Sequence, residues 1–350
     1  MQQFLACSLT PSKRDVLVCS FNCRVVADAA LKAGCRVETF DFSDTTGRIG
    51  WENVADRLAP HHRAIVVPHL FGVPADFRSI RAAADRAGVL IVEDCAHTLG
   101  GTLGAAVAGT VGDAAIFSFN YDKPISLGGG GVLLINNPEW SRRITLRPAQ
   151  VTLECDEQEL SAFLEYLRRR REGDCRSSGI SVALARTLSH LSAPMTHFHA
   201  ACSRSDSRPL FRATGIGPLR AALGQWQLRR YPEIIRQRNA NAAYFAMTAD
   251  RSWHVDADVD AAWLKQKAIP PRFEDSRRVS EALRKRGIPV GTFNWSTTID
   301  QYVGSAKTPY ARHVAAHSLD IPIHQNVERS ELDIICGAFT GRTPLAAHCP

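Results

Sequence analysis

The sequence predicts an α/β protein built around a mainly parallel β-sheet, followed by a smaller α+β domain. Short apolar runs alternate with helical stretches over the first 136 residues, and several runs are apolar at successive positions, as in strands covered on both faces. Alternation of strand, helix and strand at this spacing is typical of βαβ units with right-handed crossovers. After Asn137 the pattern becomes mainly helical and ends in a small β-α-β segment.

The elements of the first part follow from local patterns. The clearest helix is Pro74–Ala87, because Phe77 and Ile80 share its apolar side, a proline stands near its start and Gly88 follows its end. The six predicted strands are Asp15–Phe21, Cys35–Phe42, Ala64–Phe71, Val89–Ala96, Ala114–Phe119 and Gly131–Ile135.

The second half is predicted to begin with helices and to end in the small β-α-β segment. We expect a large domain over residues 1–229 and a small domain over residues 230–350. The predicted helices are Leu153–Arg171, Ile180–Leu191, Leu219–Ala246 and Asp275–Gly287, and the two late strands lie within Ala261–Pro270 and Ile288–Trp295.

The composition excludes a disordered or membrane-spanning chain. Apolar residues make up 45% and charged residues 22% of the 350 positions, which is enough to bury a large core. The apolar runs at 64–67 and 89–92 are far shorter than the roughly 20 residues that cross a bilayer. The first residues lack the basic and hydrophobic regions of a secretory signal. Ten cysteines without a CxxC pair are typical of reduced thiols, so a cytoplasmic location is expected.

Two polar segments follow predicted strands, where ligands of parallel sheets bind. One contains Asp94 and His97, and the other contains Ser118, Lys123 and the glycines at 128–131. A dinucleotide fingerprint would need a helix after the glycines, but a strand follows them, so that interpretation fails. An amine, a strand-end carboxylate and a hydroxyl are instead the groups that pyridoxal phosphate requires for its Schiff base, ring nitrogen and phosphate.

These residues resemble the DegT/StrS family of sugar-nucleotide aminotransferases. Each segment alone is a weak signal, but the set in this order is specific and spans nearly the whole chain. The segments are 66–72 (VVPHLFG), 93–97 (EDCAH), 112–113 (GD), 118–123 (SFNYDK), 221–228 (AALGQWQL) and 319–325 (LDIPIHQ).

The resemblance implies a fold-type-I pyridoxal-phosphate enzyme with a seven-stranded-type sheet and a role for each matching residue. Lys123 would form the Schiff base and carry the proton, while Asp94 would pair with the ring nitrogen. His97 would lie near the ring hydroxyl, and Ser118 would bind the phosphate. The family transfers an amino group, usually from glutamate, to a nucleotide-linked keto-sugar for a surface polysaccharide or a glycosylated metabolite, and its active sites form in a homodimer.

Three positions depart from the family pattern. The Gly-Thr loop that holds the cofactor phosphate would lie upstream of Met1, so the sequence is expected to begin inside the following helix, with an incomplete phosphate site or a misassigned start. The aromatic residue that covers the cofactor ring is replaced by Cys23, with Phe21 nearby. The loop that supplies an asparagine to the partner subunit reads FRATGIG at 211–217, with Ala213 at the asparagine position.

Two other functions remain open on the residues. A sugar dehydratase of the same fold would replace the Schiff-base lysine by histidine, whereas Lys123 is present. A non-catalytic binding or regulatory relative is favoured by Cys23 and Ala213, and opposed by Lys123, Asp94 and Ser118.

Several candidate residues also have purely structural interpretations. Lys123 could be a surface lysine, Asp94 could cap the next turn, and His97 could be structural, while Glu93 is expected to support the fold rather than catalysis. Histidines and a cysteine at 197–202 lack a second cluster to complete a zinc site, so no metal is expected.

The positive charge of the chain does not indicate a nucleic-acid partner. The formal net charge of +7 suits either an anionic small substrate or a soluble surface. The arginines at 168–171 end a predicted helix, where cations are favourable, and no interleaved aromatic residues accompany them.

Overall fold

The computed structural model divides into two compact units. The first unit contains Met1–Ser118, Val132–Ile144 and Pro232–Pro350, and the second unit contains Phe119–Gly131 and Thr145–Tyr231. The division of domains at residue 229 stays a prediction. The structure describes residues 1–44, 47–144, 152–153, 159–160, 163–164, 214–255, 261–270, 272–288, 290–292 and 297–340.

A six-stranded sheet lies at the centre of the first unit. Its strands are β1 (Asp15–Cys19), β2 (Arg36–Phe40), β3 (His62–Pro68), β4 (Leu90–Asp94), β7 (Ala114–Ser118) and β8 (Gly131–Ile135). The strand order is β2-β1-β3-β4-β7-β8, and the pairs β1–β2, β1–β3, β3–β4 and β4–β7 are parallel. All five residues of β1 are buried, as the successive apolar positions predict. The predicted α/β class with a mainly parallel sheet is therefore confirmed.

Four of the described α-helices accompany the central sheet, of which the second and third connect parallel strands. They are α1 (Gln2–Ser8), α2 (Arg24–Lys32), α3 (Phe77–Ala87) and α4 (Pro138–Arg143). Helix α3 shows how local signals set the ends: the Asp76 side chain accepts from the Ser79 N–H at its start. Gly88 closes it in the left-handed conformation with a φ of 62°, which glycine adopts without steric cost.

Four of the described two-residue strands form two further pairs outside the central sheet. An antiparallel hairpin joins β5 (Thr102–Leu103) to β6 (Ala106–Val107). In the second unit, β9 (Thr152–Leu153) pairs in parallel with β10 (Thr214–Gly215). Strand β9 includes Leu153, where the sequence predicts the start of a helix. The rest of that predicted helix and the predicted helix Ile180–Leu191 lie largely or wholly outside the described residues.

The C-terminal part forms a second, mainly antiparallel sheet with helices around it. Its strands are β11 (His254–Val255), β12 (Gln266–Ile269), β13 (Gly291–Thr292) and β14 (Leu319–Ile321), in the order β11-β12-β14-β13. Its helices are α5 (Pro218–Thr248), α6 (Phe273–Arg284), α7 (Ile299–Val303), α8 (Pro309–His317) and α9 (Arg329–Phe339). The predicted β-α-β segment thus contains β12, α6 and β13. None of the described helices combines the length and apolar character needed to cross a membrane.

One hydrophobic core joins both sheets of the first unit. Leu17, Ile65 and Ile91 of the central sheet lie in the same buried cluster as Phe245 of α5 and Phe339 of α9. Each of these side chains is at most 2% exposed. Removing this area from water is the main favourable contribution to the folding of such a unit.

A buried polar network ties the end of β1 to the segment around α7. Ser20 donates to Asp300 Oδ1 at 2.8 Å, and the Thr308 hydroxyl donates to Ser20 Oγ at 2.8 Å. The Asp300 carboxylate also accepts from the Thr298 hydroxyl and, at 2.8 Å, from Arg312 Nε. Burial acts to raise the pKa of Asp300, but these hydrogen bonds outweigh it and lower the pKa to about 2.

The network predicts a loss of stability in acid. Because the folded-state pKa of Asp300 lies below its ordinary value, its stabilisation is present above about pH 4 and is lost as the pH falls towards 2. The loss should be about 2 kcal/mol in the free energy of unfolding, measured by urea unfolding across this range. In Asp300→Asn this step should be absent, whereas the exposed-residue control Asp56→Asn should retain it. An unchanged acid profile in Asp300→Asn would contradict the role of the network.

Candidate active site

Asp94 is the last residue of β4 and lies at the carboxyl edge of the central sheet. Its side chain is almost buried, with 5% of the residue exposed, and Oδ1 accepts from the Ala96 N–H at 3.1 Å. Asp94 is in register with Pro68 on β3 and with Ile116 on β7. The parallel pairing therefore fixes a carboxylate at this edge, flanked on both sides by neighbouring strands.

Ser118 ends β7, the neighbour of β4, and is half-buried. Since Ile116 is in register with Asp94 and side chains alternate along a strand, Ser118 lies on the same face of the sheet as Asp94. The first unit thus brings the predicted carboxylate and the predicted phosphate-binding hydroxyl to one face and one edge.

His97 lies three residues beyond Asp94 and is 4% exposed. Its Nδ1 accepts from the Phe71 N–H at 3.3 Å, which orients the imidazole. Phe71 adopts a positive φ of 61°, a strained conformation for a residue with a bulky side chain. The turn after β3 therefore fixes the side chain of His97, which follows the neighbouring strand β4.

Glu93 supports the loop between β6 and β7. Its carboxylate accepts from the backbone N–H groups of Gly109, Val111 and Gly112 at 2.8, 2.8 and 2.6 Å, and it contacts His69 Nε2 at 3.0 Å. Burial acts to raise the pKa of Glu93, but His69 and these N–H groups lower it overall. The geometry agrees with a role in the fold. Sequence reasoning missed His69 and this loop as partners, because hydrogen-bond partners far apart in sequence leave no local pattern.

Lys123 belongs to the second unit, in a turn that leads into the glycine loop. Its N–H donates to Asn120 O at 3.1 Å, and its Nζ pairs with Asp122 Oδ2 at 3.0 Å. The lysine side chain is 9% exposed, so it is not an ordinary surface lysine. The pairing of Lys123 with Asp94, His97 and Ser118 of the first unit stays a prediction.

The glycine loop can form only because its residues lack side chains. Gly128, Gly129 and Gly130 have positive φ values of 74°, 142° and 87°. The N–H groups of Leu127 and Gly129 both donate to Phe119 O, at 2.9 and 3.2 Å, which folds the loop back on Phe119. The glycines therefore shape the segment that carries Lys123.

Two residues named with the departures from the family pattern, Cys23 and Phe21, lie among the described residues. Cys23 is the N-cap residue of α2, and Phe21 is fully buried with its ring stacked on Phe71 at a centroid distance of 5.9 Å. Phe21 therefore belongs to the core. Helix α1 precedes β1, and the prediction that it follows a phosphate loop stays a prediction. Ala213 and most of the surrounding segment lie outside the described residues.

Comparison with known proteins shows what the chain resembles. A "dTDP-4-dehydro-2,3,6-trideoxy-D-glucose 4-aminotransferase" of Saccharopolyspora spinosa is 24% identical over 334 residues, which is 93% of this chain and 77% of that relative. A "UDP-N-acetyl-3-dehydro-alpha-D-glucosamine 3-aminotransferase" of Acidithiobacillus ferrooxidans is 30% identical over 131 residues, which is 37% of this chain and 36% of that relative.

A solved structure shows the same fold over 97% of the chain. PseC of Helicobacter pylori, an aminotransferase involved in the biosynthesis of pseudoaminic acid, superposes with a TM-score of 0.71 over 97% of this chain and 82% of its own, at 15% identity. The predicted fold-type-I architecture is confirmed by this likeness. The sequence profile of the DegT/DnrJ/EryC1/StrS aminotransferase family matches residues 4–160, which include all four candidate residues. Over these residues the chain is similar to the DegT/DnrJ/EryC1/StrS aminotransferase family.

Proposed function

We propose that this protein is a pyridoxal-phosphate-dependent aminotransferase that transfers an amino group, from glutamate, to a keto-sugar carried on a nucleoside diphosphate. The match to the aminotransferase family supports amino transfer, and the names of two relatives support a nucleotide-linked keto-sugar as acceptor. A cytoplasmic homodimer with shared active sites completes the proposal.

The residues of the site fit pyridoxal phosphate by their chemistry. The buried Asp94 carboxylate suits a protonated ring nitrogen, because a charge partner in a poorly solvated site keeps that nitrogen protonated. Ser118 offers a hydroxyl to the phosphate, and His97 offers an imidazole beside the ring. When bound, the cofactor supplies an electron sink for the carbon that exchanges its amino group.

The protein's own groups would do the remaining work. Lys123 would hold the cofactor and move the proton to and from the substrate carbon with its amine. Asp94 would hold the proton at the ring nitrogen, and the Phe71 N–H would keep the His97 ring in one orientation. The buried Asp94 carboxylate, fixed at the carboxyl edge of a parallel sheet, is the observation that carries the proposal.

An absorbance spectrum tests the proposal directly. The purified protein is mixed with pyridoxal phosphate, and the visible spectrum is recorded before and after addition of glutamate. A protein-dependent band that changes with glutamate is the expected result, because the first half of the transfer needs no sugar. If saturating cofactor gives no band, the chain does not bind it, and a non-catalytic binding or regulatory role replaces the enzyme.

Replacement of Asp94 by asparagine tests whether the negative charge of this side chain, rather than its shape, is needed for amino transfer. In Asp94→Asn the amide keeps the volume but loses the negative charge, so we expect amino transfer to fall by about 100-fold or more. The fall should appear in kcat, measured with glutamate and a nucleotide-linked keto-sugar. The control Glu139→Gln changes an exposed carboxylate on α4 and should leave the rate unchanged. Wild-type activity in Asp94→Asn would remove this carboxylate from the mechanism.

A further inference from the structure

A cluster of metal-ligating side chains lies at the amino edge of the central sheet, opposite the carboxyl edge that holds Asp94. Glu38 lies on β2, His62 begins β3, and His61 directly precedes it. The ligand atoms of the three residues all lie within 4.8 Å of one another. We propose that Glu38, His61 and His62 bind one divalent transition-metal ion of the zinc type.

Each histidine nitrogen lies close to a different oxygen of the Glu38 carboxylate. His61 Nε2 lies 3.3 Å from Glu38 Oε1, and His62 Nε2 lies 3.4 Å from Glu38 Oε2. Ligand atoms at the usual zinc distances of 2.0–2.1 Å are separated by about 3.3 Å when the geometry is tetrahedral. Two imidazoles and one carboxylate are also a donor set that zinc uses when water takes its fourth position.

His62 supplies an independent observation. Its side chain is fully buried, and Nε2 has no hydrogen-bond partner among the described residues, although it faces Glu38. A buried polar nitrogen without a hydrogen bond is costly, and a metal ion at this position would remove the cost. His62 Nε2 is therefore available as a ligand for the metal ion.

The other nitrogen of His62 is positioned to support a metal bond. Its Nδ1 lies 3.2 Å from the Ala59 carbonyl oxygen and 3.0 Å from the Ala59 N–H. When Nδ1 accepts the Ala59 N–H, the proton of the neutral ring lies on Nε2; when Nδ1–H donates to the Ala59 carbonyl, the lone pair lies on Nε2, as in metal-bound histidines. A metal ion at Nε2 would select the second tautomer, and the turn before β3 fixes the position of the ring in both.

The surrounding charges favour a cation and leave it accessible. Asp15 Oδ2 lies 3.8 Å from His61 Nε2, so a second carboxylate lies beside the cluster, where it also pairs with Arg36. The side chains of His61 and Glu38 are 51% and 40% exposed, which gives an ion and its bound water a path from solvent.

A second cluster of ligand types lacks these properties. His69, Glu93 and Cys95 are also close together, but all three are buried. Both oxygens of Glu93 accept backbone N–H groups, and burial raises the pKa of the Cys95 thiol. That cluster is already satisfied by the protein, which distinguishes it from the site at the amino edge.

Metal titration of the full chain tests the proposal. The protein, freed of metal by dialysis, is titrated with Zn²⁺ against a chromophoric chelator, and with Co²⁺ to record the visible spectrum. One equivalent should bind, and Co²⁺ should give the intense absorption of a tetrahedral site. His61→Gln and Glu38→Gln should each weaken the binding at least about ten-fold. Both positions are exposed enough to be replaced without loss of the fold, which circular dichroism would verify.

The control variant is His317→Gln. His317 stacks with His313 on α8 at a centroid distance of 4.2 Å, so it is another histidine of a close pair, and its replacement should leave the zinc affinity unchanged. Equal affinity in the wild type, His61→Gln and Glu38→Gln would overturn the proposal. A weak spectrum typical of six-coordinate Co²⁺ would also overturn it. Neither readout depends on amino transfer.

Discussion

Lys123→Ala is expected to lose amino transfer by at least about a thousand-fold, because no other group replaces the amine that holds the cofactor and moves the proton. The lysine side chain is 9% exposed and forms an ion pair with Asp122 of its own turn, so its removal should leave the fold intact. The measurement is turnover with glutamate and a nucleotide-linked keto-sugar, together with the absorbance spectrum in the presence of pyridoxal phosphate.

A matched control separates the function of this amine from the general effect of losing a positive charge. Lys285→Ala removes an exposed lysine that follows α6 and should keep the rate of the wild type. Turnover that persists in Lys123→Ala would refute the proposed role of the lysine. Loss of the spectral change in that variant, with circular dichroism unchanged, would place the defect in the chemistry rather than in folding.

Glu93→Gln is expected to destabilise the protein by about 3 kcal/mol or more. The carboxylate accepts from three backbone N–H groups of one loop and contacts His69. In the glutamine variant, the side-chain NH2 group replaces one carboxylate oxygen and faces backbone N–H groups. Those buried N–H groups then have no acceptor. The free energy of unfolding, measured with urea at pH 7, should show the loss.

The comparison with an exposed residue makes this effect specific. Glu139→Gln changes a carboxylate that is 59% exposed, and it should alter the free energy of unfolding by about 0.5 kcal/mol or less. A similar small effect at Glu93 would mean that the loop does not depend on its carboxylate. Cofactor binding should be measured in the same sample, because Glu93 is adjacent to Asp94.

The sequence predicts the central sheet well, because each strand carries its own local signal. Gly131–Ile135 agrees with β8 at both ends, and the predicted start and end of β1 differ by at most two residues from the observed strand. Asp94 and Ser118 could be placed at one sheet edge by the same reasoning, since parallel strands align their carboxyl ends. For Asp94 and Ser118, the position predicted from the local sequence pattern agrees with the position in the folded sheet.

Other contacts depend on residues far apart and left no signal in the sequence. Ser20 and Asp300 are separated by 280 positions, and their hydrogen bond follows from how the C-terminal segment packs. The cluster of Glu38, His61 and His62 likewise depends on the register of β2, β1 and β3, so the expectation of no metal could not take it into account. Phe21 lies close in sequence to the position of the family's ring-covering aromatic residue, and its burial against Phe71 in the core depends on the turn after β3, 50 residues away.

The hydrogen bond between Ser20 and Asp300 also constrains how much of the chain can fold during synthesis. The first unit is discontinuous, since it combines Met1–Ser118 with Pro232–Pro350. The ribosome must therefore synthesise the chain as far as α7 before the end of β1 can contact Asp300. Until then, apolar side chains of the early strands stay exposed to water. Such long-range closure slows folding, so nascent chains that stop short of α7 should be substrates for chaperones and proteases.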